Sequence, residues 1–293
     1  MTGTKLVQGV YAAAATPRQE DGALDETAFR VQLEFLMERG IRGFAVNGAT
    51  GEYCVTTPAE LKRMVSIAAE VTEGRAAFVC GVGSAGLRGC VENGRIAIEG
   101  GATAVLLPGP HFFPYQQEDL EVFCRRFDEE VPLPVLLYNL PQFTSGFLPE
   151  TTVRLIAECP GIVGIKDSSG SLDTLRALSA PGVEACRIVG NDSALVQALG
   201  EQVCDAVISG VACVLPELLM AVWERNDEAC RLLGEFIQAV SPFPVPWALK
   251  WIGESRGIAT ARFAQPLSTA RELQGRELQG WFAGWSQGAG LRV

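Results

Sequence analysis

The chain has 293 residues, of which 48% are hydrophobic, and its formal net charge is −10. This length and apolar content suit one large globular domain, and the acidic balance disfavours nucleic acid as a partner, because phosphate binding requires clustered lysine and arginine. The only histidine is His111, so a metal site and Ser-His-Asp or Cys-His catalysis are not expected.

Short apolar runs alternate with longer amphipathic stretches along the chain. The runs begin at Gly9, Gly43, Ala76, Ala102, Pro134, Gly161, Cys186 and Asp205. Each run is almost entirely apolar without strict alternation, which is typical of parallel strands that are covered on both faces. The sequence therefore predicts eight buried parallel strands.

The stretches between the runs carry helix signals at both ends. Residues 25–40 begin with acidic side chains and end at Arg39 and Gly40, which matches the helix dipole and a glycine C-cap. Further along, Thr57, Pro58 and Glu60 provide an N-cap, a first-turn proline and a capping box. We therefore predict a helix after each strand.

Strand–helix units repeated in series are the signature of a (β/α)8 barrel. We predict an α/β fold, a TIM barrel over residues 1–225 that carries the site, followed by a helical region over residues 226–293 that packs on the barrel. The segment "SPFPVP" separates two helical stretches of that region. The N-terminus predicts no signal peptide, and no run approaches the ~20 apolar residues of a membrane helix. Nine cysteines without a C-x-x-C pair indicate reduced thiols in a cytoplasmic protein.

In such barrels the chemistry lies at the carboxyl ends of the strands. The sixth run, "GIVGIKDSSG", places Lys166 in an otherwise apolar strand. One interpretation is a structural cation that pairs with Asp167 or leaves the barrel mouth. The other is a nucleophile: a desolvated lysine has a lowered pKa, and its amine can form a Schiff base with a carbonyl group. Tyr138, at the end of the fifth run, is either a core aromatic or a proton carrier beside that lysine.

Four segments carry a resemblance to a known family. They are "NGATGE" (Asn47 to Glu52), "YNLPQFTSG" (Tyr138 to Gly146), "GIKDSSG" (Gly164 to Gly170) and "AVISGVACVLPE" (Ala206 to Glu217). Because the four segments occur in this order, the chain resembles the dihydrodipicolinate synthase and N-acetylneuraminate lyase family of class I pyruvate aldolases. The resemblance covers almost the whole chain.

The resemblance implies a role for each matched residue. Lys166 would form the Schiff base with pyruvate or another 2-keto acid, and Tyr138 would donate and accept protons. The remaining substrate-binding set, which includes a turn that holds the keto acid's carboxylate, would be Gly48, Ala49, Thr50, Gly51, Ser209 and Gly210. No metal or organic cofactor is implied. The implied partners are a 2-keto acid and an aldehyde, and the implied assembly is a homotetramer, a dimer of dimers.

Three positions depart from the family pattern. Ala49 stands where the family commonly has a serine or threonine that relays protons to the tyrosine. Phe112 stands where the synthases have a tyrosine from a neighbouring subunit, and Phe143 replaces their arginine for the aldehyde's carboxylate. These changes predict a neutral or more apolar aldehyde that meets Phe112 and Phe143. His111 or Tyr115 could replace the lost relay.

The predicted function is reversible carbon–carbon cleavage and condensation through Lys166, by a lyase of this family. Three alternatives stay open at this point: 4-hydroxy-tetrahydrodipicolinate synthase proper, a dehydratase of keto-deoxy sugar acids, and a non-catalytic relative that binds keto acids.

Overall fold

A computed structural model describes residues 6–290, in which eight parallel strands close into a barrel in chain order. The strands are β1 (Gly9–Ala13), β2 (Gly43–Val46), β3 (Ala77–Gly81), β4 (Ala104–Pro108), β5 (Val135–Asn139), β6 (Ile162–Asp167), β7 (Cys186–Val189) and β8 (Ala206–Ser209). The ring closes because β1 pairs with both β2 and β8. The predicted TIM barrel is confirmed, and each of the eight apolar runs contains one strand.

Helices surround the barrel and continue beyond it. Those between and directly after the strands are α1 (Glu26–Glu38), α2 (Pro58–Thr72), α3 (Leu87–Glu99), α4 (Gln117–Glu130), α5 (Pro149–Glu158), α6 (Asp173–Ala177), α7 (Leu195–Glu201) and α8 (Pro216–Trp223). The capping box of α2 forms as predicted, since the Thr57 hydroxyl accepts from the Glu60 N–H and the Glu60 carboxylate accepts from the Thr57 N–H. These caps satisfy backbone groups that the first helical turn leaves unpaired.

The strands are apolar throughout because both of their faces are buried. One face fills the barrel interior with side chains such as Val79, Leu106 and Ile208. The other packs against the helices through a larger cluster that includes Phe44 and Leu137. Because both faces are buried, neither face of a strand carries a row of polar residues. This explains why apolar and polar residues do not alternate along the strands.

The predicted C-terminal helices are confirmed as α9 (Asp227–Val240), α10 (Val245–Ser255) and α11 (Thr269–Gly288). Asn226 caps α9, and Pro244 directly precedes α10, so the proline-rich segment separates these two helices. Helix α10 packs against α11 and against the short turn at residues 211–213 after β8. Of the helices formed by residues 6–290, none combines the length and apolar character that crossing a bilayer would require.

Candidate active site

Lys166 and Tyr138 meet at the carboxyl ends of adjacent strands. The register of β5 and β6 places Tyr138 directly beside Lys166. The Lys166 Nζ donates to the Tyr138 Oη over 2.9 Å and lies 4.3 Å from the centre of the phenol ring. Each residue is 3% exposed. An amine and a phenol in contact inside an apolar barrel can exchange protons with each other and with a bound carbonyl compound.

The structure does not support an ion pair between Lys166 and Asp167. The Asp167 carboxylate instead accepts from Asn139 Nδ2 over 3.2 Å and from the Ser169 N–H over 2.8 Å. Successive residues of a strand point to opposite faces, so Lys166 faces the barrel interior and Asp167 faces away from it. Lys166 is therefore free of the structural role that pairing with Asp167 would give it.

The glycine-rich turn after β2 lies at the same end of the barrel. Asn47 has a φ of +58°, and its Nδ2 donates to the Gly81 carbonyl over 2.8 Å. A side chain at Gly81 would collide with the Asn47 carbonyl, so only glycine permits this close approach. The carbonyls of Gly48 and Ala49 accept bonds from residues that follow the turn. Successive N–H groups of a concave turn can bind an anion, so this turn is a candidate site for the carboxylate.

A buried ion pair holds this turn in place from the C-terminal helices. Glu52 ends the turn with a φ of +59°, which is uncommon for a residue with a side chain. Its carboxylate hydrogen bonds to Lys250 of α10, and both side chains are buried. Burial lowers the pKa of Lys250, although the Glu52 carboxylate opposes that effect. The pair therefore connects the turn to α10 across 198 residues of sequence.

The end of β8 closes the site from the other side. Ser209 is buried, and its hydroxyl accepts from the Ala212 N–H over 2.9 Å. A side chain at Gly210 would lie 3.3 Å from the Thr50 hydroxyl, so the end of β8 and the glycine-rich turn are neighbours. The structure thus brings together Lys166, Tyr138, the turn and the end of β8 at one barrel mouth. Residues 6–290 contain no group of three or more His, Cys, Asp and Glu side chains placed to hold a metal ion.

The two predicted aromatic residues of the aldehyde site lie at the rim. Phe112 is 85% exposed with a φ of +88°, and Phe143 is 67% exposed. Their loops are joined, because His111 and Thr144 form an antiparallel bridge. Neither phenylalanine is enclosed with Lys166 by this chain alone, so their role in aldehyde binding stays a prediction.

Tyr53 is a site residue that the sequence did not reveal. It is buried in the same interior cluster as Tyr138, and its ring lies so close to Gly83 that an added Cβ there would collide with it. The pKa of Tyr53 is raised by burial and by its proximity to Tyr138. Its ring also contacts His111 edge-on, with 6.2 Å between centroids. A tyrosine in a short turn gives no local sign that it enters a barrel.

Two residues were proposed to replace the missing relay. His111 lies beside Tyr53, whereas Tyr115 contacts the loop that follows β5. The Nδ1 of His111 is buried, and no group among residues 6–290 hydrogen bonds to it. Tyr115 is half-buried, and its backbone N–H donates to the Ser145 hydroxyl over 2.7 Å.

Gly190 makes room for Lys166. A Cβ at this position would lie 2.8 Å from the Lys166 Cε, closer than packed carbon atoms approach. The change Gly190→Ala is therefore expected to displace the amine and to lower kcat/KM about tenfold to a hundredfold, the effect of a misplaced reacting group. The control is Gly200→Ala in α7, where an added Cβ meets no atom within 4 Å. Equal kcat/KM for the two variants would contradict this role of Gly190.

Comparisons with known proteins identify the family of this chain. The sequence matches the profile of the Dihydrodipicolinate synthetase family over residues 6–279. A 4-hydroxy-tetrahydrodipicolinate synthase of Rhodospirillum centenum is 29% identical over 92% of this chain and 96% of its own. The protein of the same name from Nitratidesulfovibrio vulgaris is 31% identical over 84% of this chain and 88% of its own.

The fold of this chain is also similar to that of solved structures. The chloride-inhibited dihydrodipicolinate synthase from Acinetobacter baumannii, complexed with pyruvate, superposes with a TM-score of 0.83 at 26% identity. The superposition covers 98% of this chain and 100% of that one, so it includes both the barrel and the C-terminal helices.

Proposed function

Since the chain belongs to the Dihydrodipicolinate synthetase family and is a lyase-type enzyme of that family, we propose that Lys166 forms a Schiff base with pyruvate or a related 2-keto acid. The enzyme then reversibly breaks or forms the carbon–carbon bond beside that centre. The observation that carries the proposal is the buried contact between the Lys166 amine and the Tyr138 hydroxyl.

The proposed cleavage runs through the iminium ion. The amine of Lys166 attacks the C2 carbonyl of a 4-hydroxy-2-keto acid, and water leaves. Tyr138 removes the proton of the C4 hydroxyl, the C3–C4 bond breaks, and its electron pair enters the iminium to give an enamine while an aldehyde departs. Tyr138 then returns that proton to C3, which restores an iminium, and the addition of water to it releases pyruvate and the Lys166 amine. Because the iminium is itself the electron sink, we propose that the reaction needs no metal or organic cofactor.

The turn over Gly48, Ala49, Thr50 and Gly51 is proposed to bind the keto acid's carboxylate. A concave turn of backbone N–H groups attracts an anion without a charged side chain. The Thr50 hydroxyl adds one donor and lies beside Gly210. This arrangement fixes C1 of the substrate and thereby directs C2 towards Lys166.

The aldehyde is proposed to be neutral rather than acidic. Phe143 at the rim offers no charge to a carboxylate, and an unpaired carboxylate taken from water would lose binding energy. This distinguishes the proposed activity from that which the names of the curated relatives describe. Measured condensation with pyruvate should favour neutral aldehydes over those with a carboxylate.

Release of pyruvate tests the proposed function directly. A panel of 2-keto-3-deoxy acids would be incubated with the enzyme, and the products would be analysed. Pyruvate and an aldehyde are expected, whereas a dehydrated keto acid would indicate a dehydratase. A protein that binds pyruvate without exchanging its C3 protons in deuterated water would be a non-catalytic relative, which would overturn the proposal.

The change Tyr138→Phe is expected to lower kcat about a hundredfold or more, because a positioned proton carrier contributes roughly that factor. Schiff-base formation with pyruvate should persist in this variant, since Lys166 remains. Tyr115→Phe is the matched control, because it removes the same phenolic hydroxyl group from a half-buried loop position. Unchanged kcat in Tyr138→Phe would exclude the phenol as the proton carrier.

We further propose that the enzyme is a cytoplasmic homotetramer, a dimer of dimers. Phe112 and Phe113 are exposed and stack edge to face, with 4.9 Å between centroids. An exposed aromatic cluster at a site rim is typical of a surface that another subunit covers. The nine cysteines are all free thiols, which supports a reducing compartment. Sedimentation equilibrium measures the mass of the assembly.

A further inference from the structure

Asp192, a half-buried residue at the barrel mouth, carries a carboxyl group that the proposed mechanism does not use. It follows β7, the strand that pairs with β6 and therefore neighbours Lys166. Its Oδ2 accepts from the Val211 N–H over 3.2 Å. Its Oδ1 is out of contact with solvent, and no group among residues 6–290 hydrogen bonds to it. Buried carboxyl oxygens are rarely left without a partner, so this one indicates a role in the site.

Lys166 is the cation that the structure shows beside Asp192. Lys166 interacts with it electrostatically from β6, and the Ser209 hydroxyl and the Gly210 N–H face it from the end of β8. The other titratable group shown beside it is Cys213, whose pKa burial raises to about 12, so that thiol is uncharged near neutral pH. Burial raises the pKa of Asp192 above its usual range, against the opposing effects of Ser209 and Lys166.

We propose that Asp192 is the counter-ion of the Schiff base: it supplies the proton that leaves with water as the iminium forms, and its carboxylate then faces the new positive charge. This inference rests on the proposed function of Lys166. It adds a catalytic acid, which protonates the leaving hydroxyl and then balances the charge of the iminium.

The proton balance requires such a donor. A neutral amine and a ketone form a neutral carbinolamine, and loss of its hydroxyl as water consumes one further proton. If Asp192 supplies that proton, a carboxylic acid and an amine become a carboxylate and an iminium, and the total charge of the site does not change. A buried iminium without an anion would be costly, because burial penalises an isolated charge. The return of the proton during hydrolysis restores the acid.

The proposal predicts how pyruvate binding responds to pH when Asp192 is replaced by asparagine. In the wild type, Asp192 changes from protonated to ionised as the Schiff base forms, whereas the side-chain amide of the Asp192→Asn variant releases no proton. Asp192 then has one pKa in the free enzyme and a lower pKa in the Schiff-base complex. By linkage, the affinity of the wild type for pyruvate, divided by that of Asp192→Asn, should rise about tenfold per pH unit between these two pKa values and then level off.

The experiment titrates pyruvate at several pH values and measures the fraction of chains that borohydride traps, by intact mass. Asp128→Asn is the matched control, because burial also raises the pKa of Asp128, which lies beside Gly161 at the opposite end of β6. Asp128→Asn should follow the wild type at every pH. If Asp192→Asn fails to fold, the pyruvate affinity of Ser209→Ala should show the pH dependence of the wild type displaced to higher pH, because the Ser209 hydroxyl lowers the pKa of Asp192.

The outcomes separate the two proposals. A wild type that is never trapped overturns the Schiff base and, with it, the counter-ion. A wild type that is trapped at Lys166, with an affinity ratio to Asp192→Asn that stays constant across pH, overturns the counter-ion alone. The counter-ion is supported if the ratio of wild-type to variant affinity rises with pH for Asp192→Asn and stays constant for Asp128→Asn.

Discussion

Replacement of Lys166 by alanine is expected to lower pyruvate-forming turnover at least about a thousandfold, because the covalent route is lost with its nucleophile. The fold should survive, since alanine is apolar and small, the Tyr138 hydroxyl that it leaves is uncharged, and burial favours the neutral form of the nearby Asp192 carboxyl group. The rate of pyruvate release from a 2-keto-3-deoxy acid measures the effect, and a thermal unfolding curve checks the fold.

Lys62→Ala is the matched control for this loss. Lys62 is exposed on α2 and approaches Glu99 at 3.5 Å, the geometry of a weak surface pair. Its removal should leave turnover within a factor of about two. If Lys166→Ala kept a tenth or more of wild-type turnover, the amine would not be the nucleophile.

Replacement of Lys250 by methionine is expected to lower the free energy of unfolding by about 3–5 kcal/mol, because it leaves the buried carboxylate of Glu52 without a partner. The double change Glu52→Gln with Lys250→Met should recover much of that loss, since neither member of the pair then carries a charge. Urea denaturation measures both, and Lys62→Met, with an expected effect of about 0–1 kcal/mol, is the exposed control.

The same pair should affect substrate binding more than chemistry. Glu52 ends the turn proposed to hold the keto acid's carboxylate, so loosening it should raise KM for pyruvate while kcat changes less. If the losses of unfolding free energy in Glu52→Gln and in Lys250→Met added up to the loss in the double variant, the coupling would be contradicted, because partners in one buried pair are not independent.

Much of this architecture could be predicted from local sequence. The eight apolar runs define the strands, because strands buried on both faces must be apolar. A chain-order barrel then places the ends of the fifth and sixth strands side by side, so Tyr138 and Lys166 could be expected to meet. Their 2.9 Å contact agrees with that expectation.

Other parts of the site depend on contacts that no local pattern encodes. The partner of Glu52 lies 198 residues away in α10, and Tyr53 enters the barrel from a short turn. Asp192 could be placed at a strand end, but the contacts of its carboxyl group depend on the residues that follow β8. The interpretation that pairs Lys166 with Asp167 was wrong, because adjacent strand residues face opposite sides.

The central claim is the covalent bond between Lys166 and a 2-keto acid. Incubation with pyruvate and borohydride, followed by peptide mass spectrometry, tests it most directly. The account predicts one reduced pyruvate adduct per chain, located on the peptide that contains Lys166 and absent from Lys166→Ala. An unmodified Lys166 peptide, or an adduct on another lysine that persists in Lys166→Ala, would contradict it.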